Sequence, residues 1–332
     1  MSTDPVRVAS VGLGWWGGVL ANAAPDAGLR LVACYSPSER RSEFAAKYDC
    51  GAAASWDELL SDPDVEAIML ATPHSTHADQ VVEAAAAGKH VFVEKPLALN
   101  VPDAKWAITA ADAAGIVLEV GHNRRRQPGL RRLKELVDTD ALGLIHHVEA
   151  NLSNPRGLNP RTGWRADPEE SPAGGMTGLG VHMVDNLIYL VGRPTRLAAF
   201  SKQLAALGTL DEATTVMLEF ESGPLGFVGT TTVIPDVAST AAFGTKAAAW
   251  NASDGERFYR QDVGDKERRE EPVDTLDTVR DELAEFATCV RTGATPEVGG
   301  AEALEVVAVL EGIIESARTG HVVDLDEVRA RV

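Results

Sequence analysis

The chain has 332 residues, enough for about two domains, and its 45% hydrophobic and 24% charged residues are typical of a globular protein. Its 31 basic and 49 acidic residues give a formal net charge of −18, which disfavours binding to nucleic acid or to an anionic membrane surface. No stretch approaches the ~20 apolar residues of a membrane span, and the N-terminus lacks the pattern of a signal peptide. We therefore expect a cytoplasmic protein.

The first 120 residues alternate short apolar runs with helical segments. The predicted strands are residues 6–11, 29–35, 67–71, 90–93 and 116–120, and the predicted helices are residues 38–48, 75–87 and 101–114. Short apolar strands connected through helices require a parallel sheet that is covered on both faces. The pattern predicts a doubly wound α/β domain over residues 1–122.

The pattern changes after Gly121. A helix is predicted over residues 127–137, a strand over 145–152, a long loop over 153–175 and a helix over 176–191. Several β-type runs joined by short turns follow between residues 195 and 249, and helices over 276–291 and 301–317 close the chain. Consecutive strands with short turns predict a mostly antiparallel sheet. We therefore expect a second, α+β domain over residues 123–332 that carries an open sheet.

The first predicted strand leads directly into a glycine-rich motif, Gly12-Leu13-Gly14-Trp15-Trp16-Gly17, which a helix follows. In such a loop the first glycine allows a tight turn, the second lets the backbone approach a pyrophosphate, and the third lets helix and strand pack closely. The helix N-terminus then offers N–H groups to the phosphates. The strand–loop–helix context predicts a dinucleotide site that includes Trp15 and Trp16, the alternative being a glycine-rich turn without a special role.

The end of the second strand bears on the choice between NAD and NADP. An NAD site commonly has a carboxylate there, which binds the adenosine ribose hydroxyls. This chain instead has Ser36, with Arg40 and Arg41 close behind. A hydroxyl and two guanidinium groups suit a 2′-phosphate, so the sequence favours NADP over NAD. The alternative is that both arginines lie on a solvated helix face.

Residues 87–96, Ala-Gly-Lys-His-Val-Phe-Val-Glu-Lys-Pro, resemble the Glu-Lys-Pro signature of the glucose–fructose oxidoreductase/inositol dehydrogenase/rhizopine-catabolism (Gfo/Idh/MocA) family. Residues 72–77, 121–125 and 299–325 agree with this resemblance. So does the pair Gly174-Gly175, which leads into Gly180-x-His182-x-x-Asp185. The resemblance covers essentially the whole chain.

The resemblance implies a Rossmann domain joined to an α/β domain whose open sheet forms a homodimer or homotetramer. It also implies a tightly associated NAD(P) and hydride transfer at a carbinol or carbonyl carbon. Family substrates are mostly sugars, cyclitols, sugar nucleotides and dihydrodiols. We expect a dehydrogenase or reductase acting on a polyhydroxylated ring. The alternatives are a dihydrodiol dehydrogenase of the same family and a dinucleotide-binding regulator without redox turnover.

Lys95 and His182 are the predicted catalytic residues. Lys95 follows a strand at the carboxyl end of the sheet, where its ammonium can polarise the reacting oxygen and exchange a proton with it. His182 can also carry a proton, and Asp185, three residues on, can orient it from the same helix face. Many family members carry an Asp four residues before this His, where this chain has Gly178. The alternative for His182 is a structural role at a domain interface.

Further cofactor contacts are expected after the later strands of the first domain. His74 and His77 are spaced as metal ligands, but with no third ligand cluster apparent we expect no metal, and we assign both to the cofactor edge. The three cysteines, at positions 34, 50 and 289, fit no metal or redox pattern and are expected to be reduced thiols. The additional predicted cofactor contacts are Thr72, Pro73, His74, His77, Glu94, Lys95 and Asn123.

The second domain contains the predicted substrate residues. Arg124, with the two arginines that follow it, can bind an anionic substrate or simply cover a surface. Trp164 and Arg165 belong to the long loop over residues 153–175, and loops of this length in a compact domain are usually functional. They can form a wall of the substrate pocket, or Trp164 can fill an interface. Asp185 completes the predicted substrate set.

Overall fold

The computed structural model describes residues 4–159 and 162–332, so two residues of the predicted 153–175 loop lie outside the described residues. The strands are β1 (Val6–Val11), β2 (Leu29–Tyr35), β3 (Gly51–Ala52), β4 (Ala67–Leu70), β5 (His90–Glu94), β6 (Leu118–Gly121), β7 (Ile145–Ser153), β8 (Pro194–Lys202), β9 (Ala213–Phe220), β10 (Leu225–Thr231), β11 (Val237–Gly244), β12 (Ala247–Ala252), β13 (Arg257–Asp262), β14 (Arg269–Glu271) and β15 (Val323–Asp324). The helices are α1 (Trp15–Ala23), α2 (Arg40–Tyr48), α3 (Trp56–Ser61), α4 (His77–Ala86), α5 (Val101–Ala114), α6 (Pro128–Asp138), α7 (Val181–Val191), α8 (Thr278–Thr292), α9 (Gly300–Thr319) and α10 (Leu325–Arg329).

The chain divides into two compact units. The first comprises the described residues of Met1–Asn123 together with Asp277–Leu304, and the second comprises Arg124–Leu276 and Glu305–Val332. The predicted division into residues 1–122 and 123–332 differs from this, because it assigned α8 and the beginning of α9 to the second domain. No helix within the described residues has the length and apolar character to cross a membrane.

The first unit contains a six-stranded parallel sheet in the order β3-β2-β1-β4-β5-β6. The central strand β4 is apolar along its whole length, and every one of its residues is buried. Strands of this kind can be satisfied only when helices cover both faces of the sheet. The predicted doubly wound fold is confirmed, with bounds of the five predicted strands shifted by two residues at most. β3, which has two residues, was not predicted.

Helix α8 belongs to the core of the first unit although it lies far from that unit in sequence. The ring of Phe286 packs edge-on against the ring of Phe92 of β5, with centroids 5.9 Å apart. At the other end of the helix, Arg291 donates to both carboxylate oxygens of Glu66, at 2.8 and 3.1 Å. Fully burying a phenylalanine side chain contributes about 1.5–3 kcal/mol, so α8 is an integral part of this unit.

The second unit contains a nine-stranded sheet in the order β14-β13-β12-β11-β7-β10-β9-β8-β15. Only the β7–β10 pair is parallel, which confirms the predicted mostly antiparallel sheet. Buried and exposed residues alternate along β9, where Val216 and Leu218 are buried while Met217 between them is 47% exposed. Antiparallel sheets commonly have one solvated face, and this one carries exposed apolar side chains that include Phe200.

Candidate functional site

The candidate site of the first unit lies at the carboxyl edge of its parallel sheet. β1 has β2 on one side and β4 on the other, so the strand order changes direction at β1. Ligands of doubly wound sheets bind outside the carboxyl ends of the strands at such a point. The glycine loop follows β1, Thr72 and Pro73 follow β4, and Lys95 follows β5. Three neighbouring strands therefore deliver these predicted contacts to one edge.

The glycine loop has the geometry of a dinucleotide cradle. Gly12 has a φ of +88°, and a Cβ there would lie 2.3 Å from the carbonyl oxygen of Ala71. A Cβ at Gly17 would lie 2.1 Å from the carbonyl oxygen of Gly12, so helix α1 can approach the loop only with glycine at this position. A Cβ at Gly14, in contrast, would meet nothing within 4 Å. That open space, at a helix start that no side chain caps, suits a pyrophosphate.

Among the described residues, two of the buried polar atoms in the first unit that lack hydrogen bonds lie in or next to predicted cofactor contacts. They are Nε1 of Trp16, in the glycine loop, and Oε1 of Glu94, at the end of β5. The indole lies close enough to act on the carboxyl group, but the two atoms do not meet hydrogen-bond geometry. Buried polar atoms are normally paired. A donor and an acceptor left in this state fit a ligand that supplies the missing partners.

Burial also perturbs the ionisation of Glu94. Desolvation raises the pKa of its carboxyl group to about 7, and the nearby charge of Lys95 opposes the shift. The carboxyl is therefore divided between its neutral and charged forms near neutral pH. Lys95 itself is half-buried, and the peptide bond between Lys95 and Pro96 is cis. A group that exchanges a proton near pH 7 thus lies directly beside the predicted catalytic lysine.

The predicted cofactor residues after β4 form a compact turn. His74 and His77 are 8% and 1% exposed, and their rings meet edge-on with centroids 6.0 Å apart. Nδ1 of His77 lies 2.8 Å from the carbonyl oxygen of Pro96, and Nε2 lies 3.1 Å from that of Thr72. Both ring nitrogens of His77 are thus directed at backbone oxygens. These backbone contacts hold His77 in place, and its cofactor contact stays a prediction.

The residues after β2 adopt an arrangement that can receive a phosphate. Ser36 Oγ lies 3.0 Å from Ser38 Oγ and accepts the backbone N–H of Ser38 at 3.3 Å. Arg40 is exposed, whereas Arg41 is half-buried and donates from Nη1 to the carbonyl oxygen of Ala54 at 3.3 Å. The two arginines therefore differ: Arg41 is anchored to the backbone, and Arg40 extends into solvent.

Asn123, the last predicted cofactor contact, follows β6. Its Nδ2 donates to Oγ1 of Thr278, the first residue of α8, at 2.9 Å. The side chain thereby fastens the end of the sheet to α8 within the first unit. Its amide oxygen retains acceptor capacity, since an amide oxygen has two lone pairs.

His182 lies near the start of α7 in the second unit and is 7% exposed. The predicted helix over residues 176–191 is present, but its first turn, Met176–Gly180, is π-helical. π-helical turns inside helices are frequent at functional sites. A Cβ at Gly178 would meet nothing within 4 Å. The backbone therefore leaves room for a side chain at the position where the family usually has an aspartate.

Asp185 is paired through its carboxylate with Arg125 in the second unit. Its carboxylate accepts two hydrogen bonds from Arg125, one of them from Nε at 3.1 Å, and the two side chains are 1% and 6% exposed. A planar guanidinium binds a carboxylate through two parallel bonds, which outcompetes a single bond to an imidazole. Asp185 thus anchors α7 to Arg125, and its predicted roles beside His182 and in substrate binding stay predictions.

The remaining predicted substrate residues are also engaged by protein groups. Arg124 forms an ion pair with Asp254, in which Nη2 donates to Oδ2 at 3.1 Å. The guanidinium of Arg165 stacks over the ring of Trp164 at 4.1 Å from its centroid, in a short turn of the long loop. The ion pair neutralises Arg124, which weakens its predicted role in binding an anion.

Sequence reasoning missed two features of these sites. The pairing of Arg125 with Asp185 spans 60 positions, and that of Arg124 with Asp254 spans 130. No local pattern signals such pairs. Among the described residues, no group of three or more His, Cys, Asp or Glu side chains is arranged to hold a metal ion.

Two family models match the chain. The model described as an oxidoreductase family with an NAD-binding Rossmann fold matches residues 6–122. The model of the GFO/IDH/MocA C-terminal domain matches residues 130–250. Together they cover both the glycine loop and His182.

Curated relatives extend over most of the chain. scyllo-Inositol 2-dehydrogenase (NAD(+)) of Bacillus subtilis is 29% identical over 350 residues, covering 98% of this chain and 98% of its own length. D-Xylose 1-dehydrogenase (NADP(+)) 2 of Haloferax volcanii is 29% identical over 279 residues, covering 82% of this chain and 84% of its own. By name, these relatives belong to the predicted activity class of NAD(P)-dependent dehydrogenases.

One solved structure is similar to this chain over nearly its whole length. A protein of Desulfitobacterium hafniense, described provisionally as an NADPH-dependent oxidoreductase, superposes with a TM-score of 0.92 at 31% identity, over 99% of this chain and 100% of its own. This likeness agrees with the two family models and the glycine-loop geometry. The chain belongs to the Gfo/Idh/MocA oxidoreductase family.

Proposed function

We propose that this chain is an NAD(P)-dependent dehydrogenase or reductase that acts on a carbinol or carbonyl carbon of a sugar, a cyclitol or a related polyhydroxylated ring. The observation that carries the proposal is the edge shared by β1, β4 and β5, where the glycine loop and Lys95 meet. The names of the relatives that act on inositol and xylose support the substrate class.

The first unit fits a dinucleotide at several points. Gly12, Gly14 and Gly17 would hold its pyrophosphate, and the unpartnered Nε1 of Trp16 and Oε1 of Glu94 would bind polar groups of the same ligand. When bound, the nicotinamide supplies the site that accepts or donates the hydride. The protein's part is to exclude water, orient the two reactants and move the proton.

Lys95 is the residue that we assign to the proton. Oxidation of an alcohol releases the hydroxyl proton as the C–H bond breaks, so a base must contact that oxygen. The position of Lys95 directly after β5 fixes its backbone at the ligand edge, and Glu94 next to it exchanges a proton near neutral pH. His182 is the second proton carrier, and Asp185, three residues on, is paired with Arg125.

We also infer a preference for NADP over NAD. The turn after β2 offers Ser36 and the exposed guanidinium of Arg40 to a 2′-phosphate, and the Ala54 carbonyl holds Arg41 nearby. A hydrogen bond to a charged group contributes ~1.5–3 kcal/mol, enough for a preference of about ten- to a hundredfold. Fluorescence titration with both cofactors tests this inference, and tighter binding of NAD would refute it.

Assembly through the open sheet is the remaining part of the proposal. Phe200 and Met217 are 68% and 47% exposed on strands of the second unit. Exposed apolar side chains on one sheet face suit contact with a second copy of the chain. Light scattering should give the mass of an oligomer for the wild type and a smaller mass for Phe200→Asp. Equal masses for the two proteins would exclude this part of the sheet from the interface.

The decisive experiment for the activity is a panel of polyols and sugars offered with NADP or NAD, followed by absorbance of the reduced nicotinamide. Turnover with a cyclitol or an aldose supports the proposal, and turnover only with a dihydrodiol favours the alternative substrate class. Tight cofactor binding without turnover in either reaction direction would point to the regulator.

A further inference from the structure

His77 contacts two loops that follow neighbouring strands of the first unit. Its Nδ1 lies 2.8 Å from the carbonyl oxygen of Pro96, after β5, and its Nε2 lies 3.1 Å from the carbonyl oxygen of Thr72, after β4. The residue is 1% exposed, so bulk water does not replace either contact. The imidazole therefore bridges the two loops from a buried position.

Each loop belongs to a different part of the candidate site. Pro96 directly follows Lys95, so a contact that fixes the Pro96 carbonyl also restrains the backbone of the lysine. The peptide between Ala71 and Thr72 supports the glycine loop, because a Cβ at Gly12 would lie 2.3 Å from Ala71 O and 2.8 Å from Thr72 N. His77 thus connects the lysine segment to the floor of the glycine loop.

The chemistry of the two contacts defines what the ring must donate. A carbonyl oxygen only accepts, so each contact requires an N–H on the ring nitrogen that faces it. A neutral imidazole has one N–H, and the imidazolium has two. The ring therefore donates to one carbonyl oxygen as a neutral imidazole and to both as an imidazolium.

We propose that His77 is a positioning residue for Lys95, which it holds at a fixed distance from the glycine loop through its contacts with the carbonyl oxygens of Pro96 and Thr72. The inference rests on the proposed function, because it assigns a consequence to the placement of Lys95. The Thr72 side chain does not form this bridge, because its hydroxyl donates to Gln80 Oε1 at 2.6 Å. A displacement of about 1 Å at a reacting group can cost about a hundredfold in rate.

Two substitutions separate positioning from mere packing. His77→Leu removes both ring nitrogens and should lower kcat by about ten- to a hundredfold while the cofactor Kd stays within about threefold of wild type. His77→Gln keeps N–H groups on one nitrogen and should recover part of that loss. An unchanged kcat in His77→Leu would overturn the proposal.

His90→Leu is the matched control. His90 begins the same strand, β5, at its opposite end, where Nδ1 accepts the backbone N–H of Val117 at 2.9 Å. Its loss should lower the melting temperature and leave kcat within about twofold. An equal fall in kcat for both histidine variants would mean that any disturbance of β5 slows the enzyme, and would overturn the positioning role.

A double-mutant cycle with Lys95→Met tests whether His77 acts through the lysine. In the Lys95→Met background, His77→Leu should cause no further loss of kcat, because the group that it positions is gone. Equal losses in both backgrounds would overturn this inference alone. A Lys95→Met enzyme as fast as wild type would reject the lysine mechanism, and the inference with it.

A measurement without turnover tests the bridge itself. In the cofactor-free protein with labelled histidine nitrogens, nuclear magnetic resonance should show a His77 ring proton that is hydrogen-bonded and exchanges slowly with water, as its contacts and burial require. His90 should show a nitrogen without a proton, as an acceptor requires. A His77 ring proton that exchanges rapidly with water would overturn the bridge, whatever the fate of the proposed activity.

Discussion

Replacing Glu94 by Gln removes a titrating group from the first unit and nearly preserves its size. Burial raises the pKa of Glu94 from 4.5 to about 7, and the residue is 7% exposed. Because the folded-state pKa lies above the unfolded one, the folded protein binds the proton more tightly. The group's stabilising contribution is therefore complete below pH 4.5 and is lost as the pH rises through about 7.

The size of the effect follows from the two pKa values. The interval from 4.5 to about 7 corresponds to about 3 kcal/mol of unfolding free energy, at about 1.4 kcal/mol for each pH unit. Between pH 5 and pH 8 the wild type should lose about 2–3 kcal/mol more than the Glu94→Gln variant, which has no such titration. The unfolding free energy of the variant, relative to that of the wild type, should therefore be higher at pH 8 than at pH 5.

Urea unfolding of the cofactor-free proteins at pH 5 and pH 8 measures this difference. Glu43→Gln is the matched control, because Glu43 has the same carboxyl group on the exposed side of α2. The control should follow the wild type at both pH values. Parallel behaviour of wild type and Glu94→Gln would refute the argument, since it would mean that the carboxyl group is not desolvated in the folded protein.

Three further predictions concern the first unit. Gly14→Val should fold, because a Cβ there meets nothing within 4 Å, and should weaken cofactor binding at least about tenfold in a fluorescence titration. Lys95→Met should lower kcat by about 10²–10⁴-fold and leave cofactor affinity intact, as stopped-flow and binding assays would show. Arg291 lowers the pKa of Glu66 to about 2, so the Glu66 contribution to stability is present above pH 4.5 and is lost as the pH falls toward 2. Unfolding at pH 7 and pH 3 should therefore show about 2 kcal/mol less acid sensitivity in Glu66→Gln than in wild type.

The sheet of the first unit could be predicted because each strand is a short apolar run between helices. Residues 6–11 and 29–35 are strands with the predicted bounds. β3 gave no such signal, since its two residues, Gly51 and Ala52, are exposed and no β-branched or aromatic residue adjoins them. A strand this short exists only because β2 offers its edge.

The composition of the two units could not be predicted from chain order. The apolar stripe of α8, which includes Leu283 and Phe286, indicates that the helix is buried but not against which sheet. The answer depends on Phe92 and Glu66, about two hundred positions away, and on the fit of their side chains to the helix. Contacts at this separation leave no periodic trace in the sequence.

The same limit explains which site residues could be predicted. The glycine loop could be predicted because backbone groups bind the pyrophosphate there, and glycine is the residue that permits the required backbone conformation. The partner of Asp185 could not be predicted, because the spacing of three residues that brings two side chains to one helix face says nothing about competitors. Arg125 is such a competitor, and its fork of donors binds the carboxylate from another segment.

Gly178 shows how packing separates a glycine that the fold requires from one that it does not. A Cβ at Gly174 would lie 1.9 Å from the carbonyl oxygen of Asp211, and one at Gly180 would lie 2.9 Å from Thr230 Cγ2. At Gly178, between them, a Cβ would meet nothing within 4 Å. A glycine inside a helix costs roughly 0.5–1 kcal/mol relative to alanine, so the fold gains nothing from this residue. What Gly178 provides is space one helical turn from His182, which the protein's own packing does not require.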